Sequence, residues 1–205
     1  MIKRHICLGV VLLLASGTGC GTGRPARVVA PRLDPTAVTT AMFAVADADG
    51  NGMLDGGELA AVPGVKAAEA VFDADGDRAV SRQEILLWLE EVRRSKVAIT
   101  ACETQILRRG RPVANAVVKF VPETFMGGGM KTAVGTTDAD GIAQVTIPDA
   151  LYPGVNCGIY RVEITGQERG GRAFPTQYNS ASRLGIAVGG RLPENGTVTF
   201  DLKDE

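Results

Sequence analysis

Histidine is almost missing from this sequence. The chain has one, His5, and it lies at the apolar start. The remaining residues therefore lack the commonest general base, any Ser-His-Asp arrangement and any histidine-ligated zinc site. Aromatic residues make up 5% of the chain and the sequence shows no basic patch, which argues against nucleic-acid binding. Cysteine is sparse as well: of four, Cys7 and Cys20 belong to the first twenty residues, leaving Cys102 and Cys157. In an exported protein such an isolated pair is expected as a disulfide, the alternative being two buried free thiols. The bridge would close a loop of about 55 residues, stabilising by about 4 kcal/mol in the chain-entropy model. No apolar run after the first twenty residues is long enough to cross a membrane.

The start itself, MIKRHICLGVVLLLASGTGCG, carries Lys3, Arg4 and His5 before an apolar stretch from Ile6 to Ala15 and then small residues. This predicts a secretory signal peptide over 1–19. Cys20 follows Gly17-Thr18-Gly19, which resembles the lipobox of bacterial lipoproteins, with Gly17 where leucine is usual. The resemblance implies lipidation of Cys20 and a membrane anchor. The alternative is ordinary cleavage and a secreted or periplasmic protein. Residues 20–34 read as a flexible tether.

Charge is uneven. Residues 34–96 hold twelve acids and six bases, whereas 97–205 hold eleven of each. The acids of the first half fall into a pattern. In DADGNGMLDGGE (47–58), Asp47, Asp49, Asn51, Asp55 and Glu58 occupy positions 1, 3, 5, 9 and 12 of a twelve-residue loop, with Gly52 at position 6. The run resembles an EF-hand calcium loop. A hard cation wants six to eight oxygens, alternate residues of a tight loop can point them inward, and glycine tolerates the left-handed turn. Met53 at position 7 would lend its backbone carbonyl, and Glu58 would close the shell with both oxygens. A second copy, DADGDRAVSRQE (73–84), supplies Asp73, Asp75, Asp77, the Ala79 carbonyl, Ser81 and Glu84. Here Arg78 stands at position 6, and holding it left-handed costs roughly 1–2 kcal/mol. The second site is therefore expected to be the weaker by about tenfold. Leu54 and Val80 at position 8 would join the loops through a short antiparallel bridge. The bland alternative is an acidic surface loop, which two matched dodecamers disfavour.

Around the loops, residues 35–46 predict a helix with Pro35 at its first position, and 82–95 a second helix with Ile85, Leu86, Trp88, Leu89 and Val92 on one face. Trp88 is expected to pack on Phe43 and Phe72. Pro63-Gly64 is expected to stop the helix leaving the first loop, and 66–72 to form the one entering the second. The loops start 26 residues apart, close enough to consider a dockerin-like interaction module. From Val97, short apolar runs alternate with Gly, Pro and Asp turns. Seven strands, at 97–107, 113–121, 131–137, 142–147, 158–165, 184–189 and 196–202, predict an antiparallel β-sandwich. Asp138 and Asp140 read as a tight hairpin closed by Gly141 rather than a third calcium loop. Residues 125–130 (FMGGGM) read as a partly packed or disordered loop, the alternative being an exposed contact tip.

RRGRPVANAVVKFVPE (108–123), GTTDADGIAQVTI (135–147), GIYRVEITG (158–166) and TQYNSASRLGIAVGG (176–190) occur in an order that resembles carboxypeptidase regulatory-like domains. These are transthyretin-like sandwiches common in exported lipoproteins of planctomycete type. Despite the name, the resemblance implies no peptidase activity; it implies a structural or a carbohydrate- or protein-binding accessory role. The expectation is thus α + β in two domains: an EF-hand pair over 35–96 and a sandwich over 97–205. Its cofactor would be Ca²⁺, its site a structural one, and its partners the membrane and an envelope protein or glycan. A calcium sensor is the alternative; an enzyme is not expected.

Overall fold

Asp34 sets the first helix. Its carboxylate accepts the Ala37 N–H at 3.0 Å, and Pro35 takes the first helical position of α1 (Pro35–Ala46). In this computed structural model residues 29–167, 171–189 and 196–203 are described, so the expected signal peptide, Cys20 and most of the tether lie outside the described residues. Pro31 and Arg32, at the end of that tether, lie against Gly129. The other long helix, α4 (Arg82–Ser95), opens on a capping box: the Ser81 hydroxyl accepts the Glu84 N–H, and the Glu84 carboxylate accepts the Ser81 N–H. It stops at Lys96, which is left-handed.

Between them the chain turns through a 3-10 segment (Glu58–Ala61) and two short helices, α2 (Pro63–Ala67) and α3 (Glu69–Phe72). Here the sequence reading needs correction. Pro63 does not merely end a helix; it begins α2, because its fixed φ and missing N–H suit a first helical residue. The single helix expected over 66–72 is split at Ala68, whose φ of −114° is non-helical. Val38, Met42 and Phe43 from α1 meet Ile85, Trp88 and Leu89 from α4 and Phe72 from α3 in one buried cluster. The Phe72 and Trp88 rings meet edge-on, 5.1 Å between centroids. A two-stranded ribbon, β1 (Met53–Leu54) with β2 (Val80–Ser81), joins the loops, with Leu54 opposite Val80 as expected.

The rest is built on two four-stranded sheets. One centres on β3 (Glu103–Arg108), flanked by β10 (Thr197–Leu202) on one side and by β4 (Arg111–Pro112) and β7 (Ile142–Gln144) on the other. The second is antiparallel throughout, in the order β6 (Ala133–Thr136), β5 (Val117–Pro122), β8 (Gly158–Thr165), β9 (Leu184–Val188). Ile106 and Leu202 from the first sheet and Val118, Phe120, Tyr160, Val162 and Ile164 from the second share one core. The protein is α + β, and this part is compatible with a β-sandwich.

Two expectations fail in detail. The strands number eight among the described residues, because the turn at Arg109-Gly110 pairs Arg108 with Arg111 and adds β4. The sheets are not wholly antiparallel either: β10 runs parallel to β3, Thr197 beside Glu103 through Leu202 beside Arg108. Alternation of buried and exposed residues is the same in both directions, so it carries no sign of which partner a strand takes. The first strand also starts late. Of 97–102, Thr100 forms an isolated bridge with Val155, and the Cys102 carbonyl accepts the Val145 N–H at 3.0 Å.

Helices and sheet meet closely. A Cβ on Gly185 of β9 would lie 2.2 Å from the Gly64 nitrogen and from the Pro63 carbonyl carbon in α2. A Cβ on Gly64 would lie 2.5 Å from Ile159 Cγ2. Two glycines face each other and let α2 sit directly on β8 and β9. Ile159, Phe125 and Met126 belong to the helical cluster rather than to the inter-sheet core. Phe125 and Met126 are therefore buried in a 3-10 turn (Thr124–Met126) and do not form an exposed tip.

Candidate metal centre

Each acidic loop begins where a helix ends. Asp47 caps α1 and Asp73 caps α3. In each, the position-1 carboxylate turns back to accept the position-6 N–H: Gly52 to Asp47 Oδ2 at 3.1 Å, Arg78 to Asp73 Oδ2 at 3.0 Å. The position-3 carboxylate accepts the position-5 N–H, Asn51 to Asp49 at 3.0 Å and Asp77 to Asp75 at 3.2 Å. The position-5 side chain accepts the position-7 N–H, Met53 to Asn51 Oδ1 at 2.7 Å and Ala79 to Asp77 Oδ1 at 2.9 Å. Glu58 and Glu84 accept the position-2 N–H with Oε1, from Ala48 at 2.7 Å and Ala74 at 2.8 Å. With Oε2 they accept the position-9 N–H, from Asp55 at 3.5 Å and Ser81 at 2.8 Å. These five hydrogen bonds are common to the two loops.

This wiring brings carboxylates together. One oxygen each from Asp47, Asp49 and Glu58 lie within 4.8 Å of one another, and Asp73, Asp75 and Glu84 do the same. Such a trio could hold a metal ion, though exposed acidic groups are common without one. Asp47 adds a sharper sign. Its side chain is 3% exposed, and Oδ1 is buried without a hydrogen-bond partner. An unpaired buried carboxylate oxygen is costly, and a cation in the loop would satisfy it. The available donors are oxygens, which suits a hard cation such as Ca²⁺. Burial alone would raise the Glu84 carboxyl, but the Ser81 and Ala74 N–H groups and the Ser81 hydroxyl hold it below its ordinary value. Asp55 stands outside the first trio, with its N–H tied to Glu58; Asp77 stands outside the second.

Arg78 is left-handed, φ 69°, close to the 82° of Gly52 at the same loop position. Arg78→Gly removes that strain and should tighten the second site by up to about tenfold, read by calcium titration of the variant. One residue the sequence reading overlooked is Arg82. Its guanidinium lies 4.3 Å over the Phe43 ring and 3.4 Å from Asp47 Oδ2, so α4 of the second loop touches the first loop's leading carboxylate. The available signal was an arginine directly after position 9 of the second loop.

Other expected features fall elsewhere. Asp138 is used inside its own hairpin, where Oδ1 accepts the Asp140 and Ile142 N–H groups and Gly141 is left-handed. Cys102 and Cys157 are free thiols rather than a disulfide. Burial pushes both thiols up, which makes them poor nucleophiles.

Two acidic loops on a helical unit, seated on a β-sheet body, define the class of molecule. No protein-family model matches the chain, and no solved structure matches it. A curated relative is the uncharacterized protein YlqB of Bacillus subtilis, 39% identical over 67 residues. The match spans 33% of this chain and 39% of YlqB, well under two thirds of that protein.

Proposed function

We propose that the protein is a calcium-binding accessory protein in which two EF-hand-type loops hold structural Ca²⁺ and the C-terminal half is a non-catalytic, carboxypeptidase regulatory-like sandwich. The observation that carries this reading is the buried, partnerless Oδ1 of Asp47 inside a loop already closed by Glu58. In the first site Asp47, Asp49, Asn51, Asp55 and Glu58 would supply side-chain oxygens and Met53 a carbonyl. In the second, Asp73, Asp75, Asp77, Ser81 and Glu84 would do so, with Ala79 the carbonyl. A bound ion would neutralise the clustered carboxylates and hold α1, α3 and α4 in place.

A sensor must uncover an apolar groove when calcium binds. Here the apolar side of the helical unit already packs on Phe125, Met126 and Ile159, and α2 is seated on β9 through Gly64 and Gly185. That favours a site filled at all times over a switch. Export and lipid anchoring through Cys20 complete the proposal, since calcium outside the cytoplasm suits sites of about 10⁻⁴–10⁻³ M. Calorimetry with Ca²⁺ tests it. Two sites in that range, with no new dye-binding surface, are the expected result. Micromolar affinity with dye-binding surface supports a sensor, and no heat at millimolar calcium overturns the reading.

A further inference from the structure

The turn between β3 and β4 carries three arginines in four residues: Arg108, Arg109, Gly110, Arg111. Arg109 and Gly110 are both left-handed, φ 52° and 72°, the conformation of a tight two-residue hairpin turn. Glycine accepts this without strain, but arginine does not, and the chain keeps arginine there. Such local strain concentrates at sites of function. The turn is held firmly. Gly110 N–H donates to Asp201 Oδ1 at 3.0 Å, and Arg108 donates to the Leu202 carbonyl at 3.0 Å and to Tyr178 Oη at 3.2 Å.

Beside this turn lies a half-open cleft of about 920 Å³, within the range of small-molecule sites. Arg108, Arg109 and Arg111 line it together with the amides Asn115 and Gln167 and the buried ring of Phe174. No acid lines it among the described residues. Ala139 on its wall is flanked by Asp138, whose Oδ1 accepts two N–H groups of its own hairpin, and by the exposed Asp140. Arg108 and Arg109 each keep a further interaction with the rest of the molecule. Arg111 is exposed at the mouth.

We propose that this cleft is a second binding site, for a small organic ligand bearing carboxylate or phosphate groups. Arginine suits such a ligand because its planar fork matches both oxyanions with two parallel hydrogen bonds. Asn115 and Gln167 can donate to and accept from hydroxyls on the ligand body. The cleft lies in the sheet half and does not depend on the calcium reading.

The test is a nuclear magnetic resonance titration of the protein with glucuronate and, separately, glycerol phosphate, following Arg111, Asn115 and Gln167. At least one probe should bind saturably, and the one that binds names the oxyanion. Affinity should fall with added salt and by about tenfold in Arg111→Ala. Lys131→Ala, which removes an exposed charge outside the cleft, should bind as the unaltered protein does. Failure of both probes to shift these residues at about 10 mM overturns the proposal, because such a ligand would then bind more weakly than any specific site of this size. So does equal binding by Arg111→Ala with its spectrum otherwise intact.

Discussion

Chelation with EGTA should lower the melting temperature of the calcium-loaded protein by about 10–20 °C. The size follows from mass action. At a calcium concentration a hundred times the weaker site's dissociation constant, each site adds at least about 2.7 kcal/mol, and two sites add at least about 5 kcal/mol. For a chain of this length each kcal/mol moves the melting point by roughly 2–4 °C. Glu58→Gln sharpens the experiment. Glu58 closes the first loop with both oxygens, Oε1 on Ala48 and Oε2 on Asp55. Glutamine keeps one acceptor oxygen and loses the charge, so the first site should weaken by about a hundredfold. The second loop should still titrate, because Glu84 and its partners are untouched. Superimposable melting curves in EGTA and in excess calcium would sink the metal assignment for both loops.

Gly185→Ala should destabilise the protein by about 3 kcal/mol, measured by denaturant unfolding. Gly185 is not left-handed, so alanine suits its backbone and would ordinarily be tolerated in a strand. The whole cost is contact. The added methyl carbon would meet backbone atoms of Pro63 and Gly64 at 2.2 Å, which cannot rotate aside as a flexible side chain could. α2 must then lift from β9, and the packing of Ile159 on the helical cluster loosens with it. Gly64→Ala would meet other atoms of the same sheet, Ile159 Cγ2 at 2.5 Å and the Tyr160 carbonyl oxygen at 2.9 Å, although alanine gains about 1 kcal/mol of helix propensity there. A Gly185→Ala protein as stable as the original would mean that α2 does not sit on the sheet.

What could be read from the residues was local. Pro35 and the Ser81–Glu84 pair mark the starts of α1 and α4, because a fixed φ or a reciprocal cap acts within one turn of chain. The twelve-residue loops were legible for the same reason: their hydrogen bonds run between residues at most ten apart. The Leu54–Val80 bridge followed from the loop repeat. What escaped depends on distant residues. Nothing near Thr197 announces Glu103 as its parallel neighbour. Nothing near Gly185 announces Gly64, since a strand glycine reads as a weak point until its neighbour is known. Arg108, Arg109 and Arg111 look like a charged turn until Asn115, Gln167 and Phe174 are folded beside them. The acidic spacing of each loop was legible, although the structure gathers three carboxylates per loop and not four; the reach of Arg82 to Asp47 Oδ2 from 35 residues away was not.

The parallel pairing of β10 with β3 has a consequence for how the molecule is made. Residues 103–108 leave the ribosome before 197–202 exist, yet one long edge of β3 is completed only by that later segment. The nascent chain must therefore hold β3 without this partner while everything between the two strands is made, and closing so long a loop is slow relative to forming local structure. A premature stop before Thr197 would leave that edge bare and remove Leu202 from the core, a product suited to aggregation and proteolysis rather than to function.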